Sequence, residues 1–150
     1  KGNSGTPFAQ ILDQWGQRAG YLPIGIQHAA NPPALFEMAR HWQVDFIPVE
    51  ACHWPLSEAV TQRLQTFIDN YDALYLSIDL DGFSVAYAPG VSAPSPLGFA
   101  PAFALAVITQ VIASRKLISC DLAEFNPKYD RDGQTGKLAA HLINKIANSL

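Results

Sequence analysis

The chain of 150 residues has few charged side chains and no strong excess of either sign. Acidic residues outnumber lysine and arginine by 13 to 10, which leaves a formal net charge of −3. Proteins that bind nucleic acid carry clustered lysine and arginine, so we expect no nucleic-acid partner. Long apolar runs are missing as well. None approaches the roughly 18 residues of a membrane span, so we expect no membrane partner.

Cysteine is scarce, with Cys52 and Cys120 in the whole sequence. Two cysteines make no disulfide framework, and free thiols are typical of a reducing compartment, so the sequence predicts a cytoplasmic protein. Apolar residues, in contrast, make up 49% of the chain. That fraction and this length are enough to bury the core of one folded domain.

Apolar segments of strand length alternate with amphipathic segments of helical length. Continuous apolar runs, typical of strands buried on both faces, predict strands near residues 21–26, 44–49, 74–78 and 117–120. Apolar residues at helical spacing predict helices near residues 7–15, 32–42, 56–71, 101–113 and 138–150. The alternation predicts a three-layer α/β/α fold with a doubly wound, mainly parallel sheet.

One segment, residues 86–101, is too rich in proline and glycine for either a helix or a strand. Its prolines are at positions 89, 94, 96 and 101, and its glycines are at positions 90 and 98. The segment belongs to the loop after the predicted strand over residues 74–78. Such a fixed loop after a strand is where α/β proteins commonly place their chemistry.

Two aspartates, Asp79 and Asp81, stand at the end of the predicted strand over residues 74–78. Side chains at i and i+2 of a strand point to the same face. Two carboxylates on one face repel each other unless a cation lies between them, and Mg²⁺ or Mn²⁺ takes such oxygens readily. The alternative is a structural turn, because Asp-Gly is a common turn pair and Gly82 follows.

A second acidic side chain follows the predicted strand over residues 117–120. Glu124 lies shortly after that strand and just before an Asn-Pro pair. In a parallel sheet it would reach the same edge as Asp79 and Asp81. Taken by itself, Glu124 is better explained as a solvated loop carboxylate.

Four motifs in this order resemble the ureohydrolase family, which includes arginase, agmatinase and formimidoylglutamase. They read Ser-Gly-Thr-Pro-Phe, Ser-Ile-Asp-Leu-Asp, Ala-Pro-Gly-Val-Ser-Ala-Pro and Asp-Leu-Ala-Glu-Phe-Asn-Pro, at residues 4–8, 77–81, 88–94 and 121–127. The resemblance covers essentially the whole chain. It implies that residues 1–150 are the C-terminal portion of a single arginase-like domain.

Within that family the resemblance is to the formimidoylglutamase branch. Ser4 stands where arginases and agmatinases usually carry a histidine, and residues 25–27 followed by Asn31 are typical of this branch. The resemblance implies hydrolysis of N-formimidoyl-L-glutamate to L-glutamate and formamide, in histidine degradation. It also implies a cytoplasmic enzyme that can form homo-oligomers.

The resemblance further assigns site residues. Asp79 and Asp81 would be metal ligands of a two-manganese centre, and the remaining ligands would precede Lys1. Glu124 would be catalytic, pairing with the cationic imino nitrogen of the substrate, while the Thr6 and Ser92 hydroxyls would help to bind it. With part of its site elsewhere, the chain alone is expected to be inactive.

Two other interpretations remain open. A haloacid-dehalogenase-type phosphatase also has a strand that ends in Asp-x-Asp-Gly, although Phe83 stands where that motif has threonine or valine. A non-catalytic α/β interaction module is the second alternative, because the motifs supply only part of a metal site. Aspartyl-phosphate trapping and metal content separate these classes from a ureohydrolase.

Overall fold

The structure, a computed structural model, describes residues 7–149 of the chain. Strands and helices alternate along this part, joined by loops and short 3₁₀ turns. In chain order they are α1 (Pro7–Trp15), β1 (Ile24–Ile26), α2 (Pro33–His41), β2 (Ile47–Pro48), α3 (Glu58–Asp69), β3 (Leu74–Asp79), α4 (Pro101–Ala113), β4 (Leu117–Ala123) and α5 (Gln134–Ala147).

Local chemistry explains where most helices begin. Pro33 and Pro101 open α2 and α4, where the fixed φ of proline suits the first turn and its missing N–H costs no helical bond. Ser57 caps α3, because its Oγ accepts the backbone N–H of Val60 at 3.3 Å. The predicted helices are therefore found within a few residues of their expected starts. The exception is α5, which begins at Gln134, four residues before the predicted start at 138.

The strands form two parallel pairs, β1 with β2 and β3 with β4. In the second pair, Leu76 lies opposite Cys120 and Asp79 lies opposite Ala123. The predicted parallel arrangement is therefore confirmed, although β1 and β2 are shorter than the runs that predicted them. Because paired strands run in the same direction, the segments after β3 and β4 leave the sheet at one edge.

One apolar core joins α3, α4 and α5 to the second strand pair. Its members include the buried side chains Leu64 and Ile68 of α3, Phe103 and Val111 of α4, Leu142 and Ile146 of α5, and Leu74 and Ile78 of β3. On the opposite side, Tyr75 is 50% exposed and Ile118 of β4 is 75% exposed. The core therefore fixes β3 from one side and leaves its carboxyl end accessible.

A groove of about 1070 Å³ runs between the two strand pairs. Its walls include residues 18–27, which lead through β1, and residues 73–79, which lead through β3. Asp79 and Asp81 line the same groove. Within residues 7–149, each helix is too short or too polar to cross a membrane.

Candidate metal and substrate site

Asp79 and Asp81 lie together at the carboxyl end of β3, near enough for the charge of Asp79 to act on Asp81. We predicted that both side chains lie on one face of a strand, and this prediction is wrong. The strand ends at Asp79, and Asp81 belongs to the 3₁₀ turn Leu80–Gly82. Leu80 and Phe83 are fully buried and anchor this turn, which leaves Asp81 facing the groove.

The electrostatics of this pair are those of two acids held too close for both to ionise freely. Partial burial raises the pKa of Asp81 to about 7, and the negative charges of Asp79 and Glu124 add to the effect. Tyr21 lies near Asp79. Burial raises the pKa of its phenol, and the negative charge of Asp79 adds a smaller increase. A cation placed between the carboxylates would relieve their repulsion.

Glu124 follows β4 at the same edge of the sheet, since Ala123 lies opposite Asp79. Its side chain is exposed, and its negative charge acts on Asp81. Its backbone has φ of 63°, in the left-handed region that is uncommon for a glutamate. Strain of this kind tends to persist at functional sites, where the surrounding structure holds it. Nothing in the sequence around Glu124 predicts this conformation.

Two further side chains reach the groove from the loop after β1, and the sequence analysis gave them no site role. Gln27 and Asn31 both line the groove that holds Asp79 and Asp81. The Asn31 amide donates to the backbone carbonyl of Gln27 at 2.8 Å, and the Gln27 amide is bonded to Ser95. The branch-specific residues 25–27 were the only indication of this region in the sequence.

The other predicted substrate residues have different outcomes. Ser92 is exposed, and its Oγ accepts a hydrogen bond from Asn126 Nδ2 at 2.9 Å. Thr6 and Ser4 lie outside the described residues.

Burial raises the pKa of the Cys52 thiol to about 12, so this thiol stays protonated at neutral pH and offers no nucleophile.

The donors that residues 7–149 bring together do not make a complete metal site. Within that range, no group of three or more histidine, cysteine, aspartate or glutamate side chains converges on one point. Asp79 and Asp81 supply at most four oxygens, whereas Mn²⁺ and Mg²⁺ favour about six ligands each. The pair therefore fits one wall of a metal centre.

The structure defines an α/β chain with an acidic edge of the sheet, and its class follows from comparison with known proteins. The sequence model of the arginase family matches residues 1–148. The chain belongs to the arginase family. The phosphatase interpretation is not supported.

Curated relatives identify the branch. The formimidoylglutamase of Aromatoleum aromaticum is 43% identical over 152 residues, covering 99% of this chain and 45% of that protein. The formimidoylglutamase of Geobacillus thermodenitrificans is 42% identical over 137 residues, covering 91% of this chain and 42% of that protein. The predicted resemblance to this branch is confirmed. The chain spans slightly less than half the length of these relatives.

Solved structures show the same fold. The formimidoylglutamase of Bacillus subtilis superposes with a TM-score of 0.86 at 24% identity, over 99% of this chain and 48% of that one. The agmatine ureohydrolase of Thermoplasma volcanium superposes with a TM-score of 0.73 at 28% identity, over 95% of this chain and 45% of that one. The predicted arginase-like α/β class is therefore confirmed.

Proposed function

We propose that this chain supplies one part of the active centre of a formimidoylglutamase. The reaction is hydrolysis of N-formimidoyl-L-glutamate to L-glutamate and formamide, a step of histidine degradation. The observation that carries the proposal is the identity of about 40% to proteins of that name along nearly the whole chain. The two neighbouring carboxylates at the end of β3 give that likeness a chemical basis.

The metal assignment rests on the repulsion between Asp79 and Asp81. Both are oxygen donors, the charge of Asp79 acts on Asp81, and both line an accessible groove. These features suit a hard divalent cation, and a pair of Mn²⁺ ions is the proposed cofactor. The remaining ligands would come from residues outside the described part of the chain. When bound, such a pair lowers the pKa of a shared water and so makes hydrolysis feasible near neutral pH.

The remaining roles concern the substrate. The formimidoyl group is a cationic amidine, and the exposed carboxylate of Glu124 at the same edge would pair with its imino nitrogen. Ser92 and Thr6 are proposed to contribute hydroxyl groups. Location in the cytoplasm and assembly into homo-oligomers stay predictions of the sequence.

The reaction balances with water as the sole co-reactant. The oxygen of water forms a bond to the amidine carbon, and the water loses a proton. This step gives a tetrahedral adduct. The bond between that carbon and the glutamate nitrogen then breaks, and its electron pair stays on nitrogen. That nitrogen takes up a proton and becomes the amine of L-glutamate, and the carbon leaves as formamide.

The metal assignment is tested by Asp79→Asn and Asp81→Asn in the complete polypeptide that carries this sequence. We expect each to lose bound manganese and at least 100-fold of the activity on N-formimidoyl-L-glutamate. Asp121→Asn is the matched control, because Asp121 is an exposed carboxylate of β4 that bonds to Ser77. Retention of metal and turnover in both Asp79 and Asp81 variants would contradict the assignment.

Glu124→Gln tests the substrate role separately from the metal. The variant removes the negative charge that would face the amidine and keeps the size of the side chain. We expect a KM increase of at least tenfold with unchanged manganese content. Loss of manganese would show that Glu124 acts on the metal centre.

A comparison of substrates tests the proposal that the protein acts as a formimidoylglutamase. Formamide release from N-formimidoyl-L-glutamate should exceed urea release from arginine or agmatine by several orders of magnitude in kcat/KM. Equal rates on arginine would contradict the proposed substrate. Absence of bound metal and of any turnover would favour the non-catalytic module.

A further inference from the structure

Residues 92–96, here called the serine loop, carry two serines whose hydroxyls are each bonded to an amide side chain from a distant segment. Asn126 Nδ2 donates to Ser92 Oγ at 2.9 Å. Gln27 Nε2 donates to Ser95 Oγ at 2.8 Å, and Ser95 Oγ lies 3.0 Å from Gln27 Oε1. Gln27 and Ser95 are 68 positions apart in sequence, so this contact joins separate parts of the fold.

The two amide side chains come from the ends of different strand pairs. Gln27 directly follows β1, and Asn126 comes two residues after Glu124, beyond the end of β4. The serine loop therefore spans from the end of one strand pair to the end of the other. Residues 93–96 of the loop line the same groove as Asp79 and Asp81.

Other hydrogen bonds hold the side chain of Asn126 and the backbone of Gln27. The Asn126 side-chain oxygen accepts the backbone N–H of Lys128 at 3.2 Å, which orients its nitrogen toward Ser92. The backbone N–H of Asn126 donates to the carbonyl of Gly90 at 2.8 Å. At the other end of the loop, the backbone carbonyl of Gln27 accepts hydrogen bonds from Asn31 Nδ2 and from the Ala30 N–H.

The loop is partly restricted by its own sequence. Pro94 and Pro96 fix φ at two of its five positions, and the other positions depend on contacts with the rest of the fold. The backbone carbonyl of Ser95 also accepts the N–H of Val85 at 2.7 Å. Hydrogen bonds at both ends are therefore sufficient to keep the loop in one position across the mouth of the groove.

We propose that Gln27 and Asn126 are positioning residues that hold the serine loop over the acidic edge of the sheet, so that it forms a preordered wall of the substrate site. This inference rests on the proposed function. Neither amide needs to touch the reacting atoms. If either contact is lost, the loop must be ordered when substrate binds, and binding weakens by the free energy of that ordering.

The kinetic test is a double-mutant cycle in the complete polypeptide, with Gln27→Ala, Ser95→Ala and the double variant. Each single variant should raise KM about fivefold to tenfold and leave kcat within twofold and manganese content unchanged, because a net hydrogen bond is worth about 0.5–1.5 kcal/mol. The double variant should be no worse than either single one. Ser95→Thr, which keeps the hydroxyl, should retain the original KM.

Gln134→Ala is the matched control. Gln134 Nε2 donates to the carbonyl of Ala86 at 2.6 Å, so it is also a glutamine that holds the long loop after β3. It does not line the groove. Its KM should stay unchanged. Unchanged KM in Gln27→Ala, or effects of Gln27→Ala and Ser95→Ala that multiply in the double variant, would overturn the proposal.

Hydrogen exchange separates this proposal from the proposed function, because it needs no substrate. The amide of Val85, which donates to the backbone carbonyl of Ser95, should exchange about fivefold to tenfold faster in Gln27→Ala and in Ser95→Ala than in the unmodified protein. If exchange is faster but the protein does not turn over N-formimidoyl-L-glutamate, the positioning role of Gln27 is supported and the proposed substrate is contradicted. Unchanged exchange would overturn the positioning role, whatever the substrate is.

Discussion

The backbone N–H of Gly90 donates a hydrogen bond of 2.7 Å to the hydroxyl of Thr135, a side chain with no exposed surface. This contact joins the loop after β3 to the first turn of α5. The space between them is full, because a Cβ added at Gly90 would lie 2.7 Å from the Cβ of Asp130. The position of the loop thus depends on α5 as well as on the sheet.

Thr135→Val should lower the free energy of unfolding by about 1–3 kcal/mol. Valine has almost the same shape but cannot accept the buried N–H of Gly90, and an unsatisfied buried donor carries a desolvation cost of that size. Urea denaturation of the two chains measures the difference. Thr135→Ser is the control, since it keeps the hydroxyl and loses one methyl group, worth about 0.8 kcal/mol. Equal stability of the valine variant and the unmodified chain would contradict this account.

The Asp130 carboxylate holds the start of α5, and this contribution should depend on pH. Its oxygens accept the backbone N–H groups of Thr135 at 2.9 Å and Gly136 at 3.0 Å. Partial burial works to raise the pKa of Asp130, but these hydrogen bonds outweigh it and lower the pKa below its ordinary value of 3.8. An aspartate with a lowered pKa stabilises the folded state above its unfolded pKa, and the effect is lost as pH falls through the folded pKa.

Asp130→Ala should therefore reduce Tm clearly at pH 7, and the difference should shrink as pH falls below about 3.8. Thermal unfolding followed by circular dichroism between pH 7 and pH 2.5 measures it. Asp72→Ala, at an exposed aspartate between α3 and β3, serves as the control. A Tm difference that is constant across this range would show that Asp130 acts without its charge.

Local sequence patterns predicted most elements because their causes are local. Proline at the first turn and apolar spacing define α4. The sequence predicted this helix over residues 101–113, and the structure has it at the same residues. The start of α5 was predicted four residues late. Gly133 precedes that helix in a left-handed conformation, and the carboxylate that holds the first turn, Asp130, lies outside the helix. A search for apolar periodicity cannot detect such a cap.

The candidate site was predictable only in part. Asp79 ends β3, whereas Asp81 and Glu124 follow β3 and β4, and the rule that parallel strands end at one edge brings them together. The 3₁₀ turn that carries Asp81 depends on the burial of Leu80 and Phe83, which a strand periodicity does not reveal. The contact between Gln27 and Ser95 joins residues 68 positions apart, so no local pattern could indicate it.

Glu124→Gly should stabilise the chain while it reduces activity of the complete enzyme. A left-handed φ such as the 63° of Glu124 costs a side chain with a Cβ about 1–2 kcal/mol. Glycine avoids this cost but loses about 0.5–1 kcal/mol through the greater freedom of its unfolded chain. We therefore expect a net gain of up to about 1.5 kcal/mol in urea denaturation. Glu124→Gln keeps the Cβ and should leave stability unchanged, so a gain in both variants would show that charge, and not backbone strain, is the cause.

Ile118→Lys should reduce self-association of the 150-residue chain. Within residues 7–149, β4 pairs with β3 on one side, and Ile118 on this strand is 75% exposed. An apolar strand with an unpaired edge pairs readily with another copy, and a lysine there opposes it through charge repulsion. Sedimentation velocity at rising concentration should show association of the unmodified chain and a clear decrease in Ile118→Lys. Ile143→Lys is the matched control, because Ile143 is 53% exposed on α5 and has no strand edge beside it. If both lysine variants suppress association equally, general surface apolarity and not the strand edge drives it.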